Sequence, residues 1–371
     1  MVNVKVPGKL YLAGEYAVVE PGTPAVIVAV DRFVHLKITS ATATGTIYSH
    51  QYQTVPVKWH RTAHHQIQLE DEVQLEFVLE AIRLTERYAT ECGHQLQFFN
   101  LEIDSELDSP DGKKFGLGSS AAVTVGVVKA IAAFYHLHLT AMEIYKLAAL
   151  AHYNVQGNGS LGDIAASAFT GWIAYYSPDR NWLLDQPQTP LKPLIAADWP
   201  ELKIQPLIPP TTADLIVGWT GAPASTKHLV AEVKRRSHLK YDTFVVQSAQ
   251  CVEKLIQAIK NDDFEKITAA ITRNRELLNE LSKISHVELE TPRLKELIEL
   301  VVRFGGSGKM SGAGGGDCGI GFVKHGSNYQ QQIFEQWRQA QILPLQLSTY
   351  TIMRNNNGYS STSQRRACFY C

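Results

Sequence analysis

Residues 113–122 read KKFGLGSSAA: two lysines, two glycines flanking Leu117, two hydroxyls, and then a long apolar helix. Glycine has no Cβ, so such a loop can bring backbone N–H groups close to an oxyanion. A helix that starts at Ser119 or Ser120 adds unpaired N–H donors and the positive end of its dipole. A hydroxyl at that place can ligate the magnesium that accompanies a nucleotide. The segment reads as a cradle for a triphosphate. It is not a Walker A loop, which runs glycine, four residues and then Gly-Lys-Ser/Thr, because here Lys113 and Lys114 precede the glycines. It is not the glycine loop of protein kinases either, which lies between two strands, whereas this one opens a helix. The plainer alternative is a glycine turn capped by serine.

Three other places carry residues suited to an anion. Lys9 follows a short strand and the Pro7-Gly8 turn, where a lysine can point into a cleft. A solvated surface position is the alternative for it and for Lys114. Asp163 lies in GNGSLGDIAAS, between glycines and a helix of small residues, where it either caps that helix or faces a ligand. Residues 308–322, GKMSGAGGGDCGIGF, offer bare backbone to a ligand or to another chain segment, and run directly into an apolar strand as a flexible hinge rarely does. Other patterns carry less. Residues 157–162 and 314–319 match G-x-G-x-x-G literally. A dinucleotide site needs a strand before that fingerprint and a helix after it, but the first match follows a helix and the second enters a strand. Cys368 and Cys371 form a lone C-x-x-C pair, and His64-His65 sits in a polar stretch and reads as surface.

These groups need a scaffold. Residues 2–6, 25–30, 34–39, 97–103 and 171–176 read as strands. Residues 73–88 have helical spacing, and 121–135 are apolar nearly all round, the mark of a central helix packed on every side. Thr140 and Glu143 make a capping box for a helix reaching Asn154. Prolines gather between Pro187 and Pro210, which places a domain boundary there. Beyond it, 215–219 and 319–323 read as strands, 225–239, 243–260, 263–281, 292–304 and 331–339 as helices, and 346–353 as a last strand. Residues 40–66 give no clear pattern, and the polar end from Asn355 reads as disordered.

With 371 residues, 45% hydrophobic and 19% charged, the chain can hold two domains of roughly 150 residues each. A formal net charge of −1 offers no general grip on nucleic acid or an anionic membrane, so cations that bind an anion must be local. No run approaches the roughly 20 apolar residues of a membrane span. The first residues, MVNVKVPGKLYLAG, lack signal-peptide organisation, and five scattered cysteines make no disulfide framework. The expectation is a cytoplasmic protein, a monomer or homodimer, without nucleic-acid or membrane partners.

Taken in order, PGKLYLAGEYAVVEPGTPAV (7–26), KKFGLGSSAAVTVG (113–126) and GKMSGAGGGDCGIGF (308–322) resemble the GHMP kinases, named for galactokinase, homoserine kinase, mevalonate kinase and phosphomevalonate kinase. Within the family, AGEYAVVEPG (13–22), NGSLGDIAAS (158–167) and WTGAPASTKHLV (219–230) are most similar to the members that phosphorylate phosphomevalonate. The resemblance implies a two-domain α+β fold: an ATP-binding mixed α/β domain over 1–190, a ferredoxin-like α+β domain over 191–356, and the active site between them. A tail over 357–371 matches nothing. ATP and Mg2+ are the implied cofactors, and the implied reaction converts 5-phosphomevalonate to 5-diphosphomevalonate on the mevalonate route to isoprenoids. A kinase for mevalonate or another small molecule is the alternative, and a non-catalytic nucleotide-binding relative is a further one.

Carried over residue by residue, the resemblance implies that Gly116, Leu117, Gly118, Ser119, Ser120 and Ala121 hold the ATP phosphates, with the Ser120 hydroxyl on magnesium. Lys9 and Lys114 face the acceptor and the transferring group, with Asp163 beside the transfer. Tyr16, Ser160, Ser225 and Thr226 contact substrate, and Ser311, Gly312 and Ala313 close over it. Met310 stands where a proline or small residue is expected before Ser-Gly-Ala-Gly-Gly-Gly, which leaves the backbone there open.

Overall fold

The computed structural model describes residues 1–371 apart from 52, 63–65, 110–111, 187–189, 222–225, 355–359 and 363–371. A first sheet is built from β1 (Val2–Ala13), β2 (Pro24–Ala41), β3 (Gly45–Ser49), β4 (Val57–Arg61), β5 (Ile67–Leu69), β6 (Phe98–Ser105), β7 (Trp172–Tyr176) and β8 (Lys203–Leu207). Its order is β5–β4–β3–β6–β2–β7–β8, with β1 paired to β2. β3 and β6 are parallel and the other pairs antiparallel. Helices α1 (Glu76–Glu91), α2 (Ser119–Phe134), α3 (Ala141–Gln156) and α4 (Gly162–Phe169) pack with one another, and α2 and α4 rest on β1 and β2. The absence of a side chain at Gly126 sets how close α2 sits: a Cβ there would lie 2.3 Å from Leu36 Cδ1 of β2. Thr140 and Glu143 form the expected capping box of α3. Two short helices follow, α5 (Arg180–Leu184) and α6 (Leu191–Ala196).

The second sheet holds β9 (Ala213–Trp219), β10 (Ser307–Met310), β11 (Cys318–Lys324) and β12 (Leu343–Leu345), antiparallel in the order β10–β11–β9–β12. Helices α7 (Thr226–Lys260), α8 (Phe264–Ser285) and α9 (Pro292–Arg303) separate its first and second strands, and α10 (Tyr329–Gln339) its third and fourth. That is the ferredoxin-like arrangement. Leu297, Val301, Ile333 and Trp337 bury the apolar faces of α9 and α10 together with Ile216 and Val323. Tyr241 and Phe244 of α7 and Leu277 and Leu281 of α8 form another cluster, which takes in Tyr16, Ala17 and Val19. The segment just after β1 thus belongs to the core of the second unit. No described helix is long and apolar enough to cross a membrane.

Several elements depart from the sequence reading. β1 does not end at Pro7-Gly8; it passes through them with a shift of register, and residues 25–30 and 34–39 are parts of the single strand β2. Proline lacks an N–H, so it sits in a strand at an irregularity of this kind. Residues 225–239 and 243–260 are not two helices: α7 is continuous, because no glycine or proline interrupts 240–243 and Tyr241 is buried. The stretch 40–66 holds β3 and β4. The first sheet runs past the expected division at 190/191, since β8 pairs with β7. The chain also returns to that sheet late, where Thr349 bridges Val30, so 346–353 is not one strand. β13 (Ile352–Arg354) pairs with β14 (Ser360–Thr362), and β14 lies within the stretch expected to be disordered.

Candidate functional site

β1 meets the glycine loop at its irregularity. Lys9 N–H donates to Leu117 O at 2.8 Å, and a Cβ on Gly8 would lie 2.9 Å from that same carbonyl. Gly116 and Gly118 both have φ +80°, a region that glycine enters freely. Side chains at these two positions would reach Asp317 Cβ and Lys9 Cε, each at 2.7 Å. The two glycines therefore admit Asp317 from the second unit and Lys9 from β1 against the loop, while buried Leu117 anchors it. Gly118 is the N-cap of α2 and no side chain caps that end, so the serine-cap alternative fails. Ser119 and Ser120 are the first helical positions, and helix geometry leaves the amides of Ser119, Ser120 and Ala121 without a helical acceptor. Ala122 N–H is the first to bond back, to Gly118 O at 3.0 Å.

A cleft of about 370 Å³ opens before this helix end. Lys9, Lys114, Gly116, Leu117, Gly118, Ser119, Ser120, Tyr16, Ser160, Asp163, Ser311, Gly312 and Ala313 all line it. Ala121 does not, being fully buried in the first turn of α2. Ser225 lies outside the described residues, as does the side chain of Thr226 at the start of α7. His64, His65, Cys368 and Cys371 are also outside them. A smaller hollow of about 210 Å³ shares Lys114, Ser119 and Ser120 with the cleft and continues past Leu75, Phe77 and Asp108. Larger grooves along α1, about 1230 Å³, and between α7 and α8, about 850 Å³, do not border the glycine loop.

Lys9 Nζ lies 3.4 Å from Gly116 O and 5.4 Å from the centre of the Tyr11 ring. Lys114 is exposed at the mouth; burial pushes the nearby Asp108 carboxyl up, and Lys114 opposes that. Asp163 is not a cap, because Leu161 holds the N-cap position of α4. Its Oδ1 accepts the Ile164 N–H at 3.1 Å, and its carboxylate faces the cleft. The Tyr11 and Ser160 hydroxyls are 2.9 Å apart, and burial followed by the Asp163 charge keeps the Tyr11 phenol protonated. His152 Nε2 lies 3.3 Å from Ser120 Oγ. Burial lowers the His152 pKa, with Asp163 opposing, and its Nδ1 is buried without a partner. Cys318, in the glycine-rich segment, is fully buried with its thiol held far above the ordinary range by burial; it donates to Phe115 O and is not placed to react.

The opposite wall is tied to the end of β1. Ser311 Oγ donates to Tyr11 O at 2.9 Å, Gly312 N–H to Glu15 Oε1 at 3.3 Å, and Tyr16 O–H to Ala313 O. Lys309 is completely buried and paired with Glu15. Met310 is an ordinary buried strand residue whose sulfur would lie 2.4 Å from a Cβ on Gly314, so the departure at 310 leaves the strand intact. Arg180 donates to Gly159 O and Val19 O and fixes the glycine turn before Asp163. Sequence reasoning missed Glu15, Lys309, Tyr11, His152 and Arg180. Glu15, Lys309 and Tyr11 lie inside the quoted segments, but none has a local signal separating it from a surface or core residue.

Residues 76–171 match the N-terminal domain of the GHMP kinases and residues 255–342 their C-terminal domain. A phosphomevalonate kinase of Streptomyces sp. (strain CL190) is 38% identical over 357 residues, spanning 92% of this chain and 95% of its own. A Lin0012 protein from Listeria innocua superposes with TM-score 0.89 at 36% identity, covering 94% of this chain and 97% of that one. Streptococcus pneumoniae phosphomevalonate kinase in complex with phosphomevalonate and AMPPNP superposes with TM-score 0.83 at 30% identity, covering 94% and 100%.

Proposed function

The chain belongs to the GHMP kinases, and from that premise we propose that it transfers the terminal phosphoryl group of ATP to the phosphate of phosphomevalonate, forming the diphosphate and ADP. The observation that carries this is Lys9, whose ammonium lies against the glycine loop in a cleft shared with Lys114, Ser160 and Asp163. The likeness to relatives of that activity supports the choice of acceptor.

The first-turn amides of α2, from Ser119 and Ser120, take the nucleotide phosphates. The hollow beyond Ser119 and Ser120, past Leu75 and Phe77, takes the nucleoside. No cluster of three metal-ligating side chains exists among the described residues. A magnesium ion that enters with the nucleotide would take the Ser120 hydroxyl, which lines the cleft, as its protein ligand. The chemistry it would supply is neutralisation of phosphate charge during transfer.

Phosphoryl transfer asks for positioning and charge neutralisation more than covalent help. The acceptor brings a carboxylate and a phosphomonoester, so it needs more than one cation, and Lys9 and Lys114 supply them as mobile point charges. Tyr16, Ser160, Ser311, Gly312 and Ala313, which line the cleft, meet the acceptor. A phosphomonoester loses its second proton near pH ~6, so at neutral pH its oxygen is already nucleophilic and a general base adds little. Asp163 then orients a lysine or the magnesium rather than removing a proton. The test is 31P NMR of a reaction with ATP, magnesium and phosphomevalonate. A new diphosphate doublet pair matched to ADP supports the reading. ATP binding without product on any acceptor refutes it and favours a non-catalytic relative.

A further inference from the structure

We propose that the buried Glu15–Lys309 pair positions the acceptor side of the cleft: through it, the end of β1 fixes where Gly312 and Ala313 stand. This rests on the reading above, in which those residues meet the acceptor.

The two side chains are 294 positions apart and come from different units, Glu15 just after β1 and Lys309 on β10, with exposures of 3% and 0%. Lys309 Nζ donates to Glu15 Oε1 and also to Met310 O at 2.6 Å. Glu15 Oε1 in turn receives the Gly312 N–H. One carboxylate oxygen therefore joins the strand before the loop to the loop itself. Tyr16 and Tyr11 bind Ala313 and Ser311 from the same segment.

Two features suit positioning better than stability. Glu15 Oε2 is buried without a partner, whereas a pair serving stability alone would satisfy both oxygens. The backbone that presents Glu15 is also strained: Tyr16 has φ +63° and ψ −52°, an unfavourable region for a residue with a side chain. A Cβ on Gly14 (φ +99°) would lie 2.6 Å from Pro24 O, so the turn is held tightly against β2. The same stretch carries Lys9 against the nucleotide loop and Glu15 against the acceptor loop. It spans the two halves of the cleft and sets the distance between them, and transfer rates depend on such distances.

The test compares Glu15→Asp, which keeps the charge and withdraws the carboxylate by one methylene, with the neutral pair Glu15→Gln/Lys309→Met. Wild-type turnover of phosphomevalonate is measured first; its absence overturns the functional reading and this proposal together. Given turnover, each variant that shows a cooperative thermal transition is expected to raise the KM for phosphomevalonate about tenfold while the KM for ATP stays within about twofold. A folded variant with both constants unchanged, or both raised alike, overturns this proposal alone. So does failure of Glu15→Asp to fold, because the pair then serves the fold and not the acceptor.

Discussion

The phosphate cradle of the cleft is built from one stretch of chain, and the acceptor side from several that meet only on folding. Residues 113–122 contain both glycines, both serines and the helix start in sequence order. The acceptor side draws on the end of β1, the turn between α3 and α4, and residues 311–313 just beyond β10. The first is a local structure resting on a buried helix. The second is a set of long-range contacts, Glu15 to Lys309 and Gly312, Tyr16 to Ala313, and Tyr11 to Ser311. Damage to the first should therefore act on catalysis through local geometry, and damage to the second through both stability and acceptor binding.

Lys9 belongs to both sides and gives the largest expected effect. Lys9→Met should lower kcat by about a thousandfold or more, with the KM for ATP changed only a few fold, in a coupled ADP-release assay. A loss under about tenfold would remove Lys9 from the transferring group.

Lys309→Met isolates the long-range side. It leaves Glu15 buried without its cation and should cost about 3–5 kcal/mol in urea unfolding. Adding Glu15→Gln should restore much of that. A single variant as stable as wild type would mean that the pair holds nothing together.

Two glycines separate backbone strain from loop geometry. Gly118 (φ +80°) and Gly93 (φ +88°) are both left-handed, and alanine at either should cost about 1–2 kcal/mol. A Cβ meets nothing at Gly93 but strikes Lys9 Cε at Gly118. Only Gly118→Ala should also lower kcat, by about tenfold or more. Equal activity in the two variants would show that the glycine spacing does not serve Lys9.

The smallest effect concerns pH. Burial pushes the Cys251 thiol, in the core of the second unit, from 9.0 up to about 11. The folded pKa lies above the unfolded one, so this contribution is complete below pH 9.0 and is lost as pH rises towards about 11. The urea midpoint should fall across that window, and less in Cys251→Ala. An identical slope in the variant would assign the loss to the buried tyrosines Tyr145 and Tyr175, whose phenols are also held up by burial.

The same contrast explains what could be read in the sequence. The glycine loop and the capping box of α3 are legible because their parts are neighbours in sequence. Lys309 is not legible, because a lysine beside glycines looks like a surface residue until β10 and the Glu15 turn are brought together. Proline density between Pro187 and Pro210 reads as a domain boundary, yet prolines mark irregular backbone and not the sheet to which β8 belongs. Pro7-Gly8 reads as the end of a strand because a bulge and a turn share their residue types. Residues 225–239 and 243–260 read as two helices, while burial of Tyr241, whose hydroxyl donates to Tyr16 O, decides for continuity.

The most direct measurement is kcat/KM for phosphomevalonate against mevalonate on the purified protein at saturating ATP and magnesium. Two cations aimed at a doubly anionic acceptor should favour phosphomevalonate by about a thousandfold or more. Equal values, or a preference for mevalonate, would contradict the assignment of Lys9 and Lys114 to an acceptor phosphate.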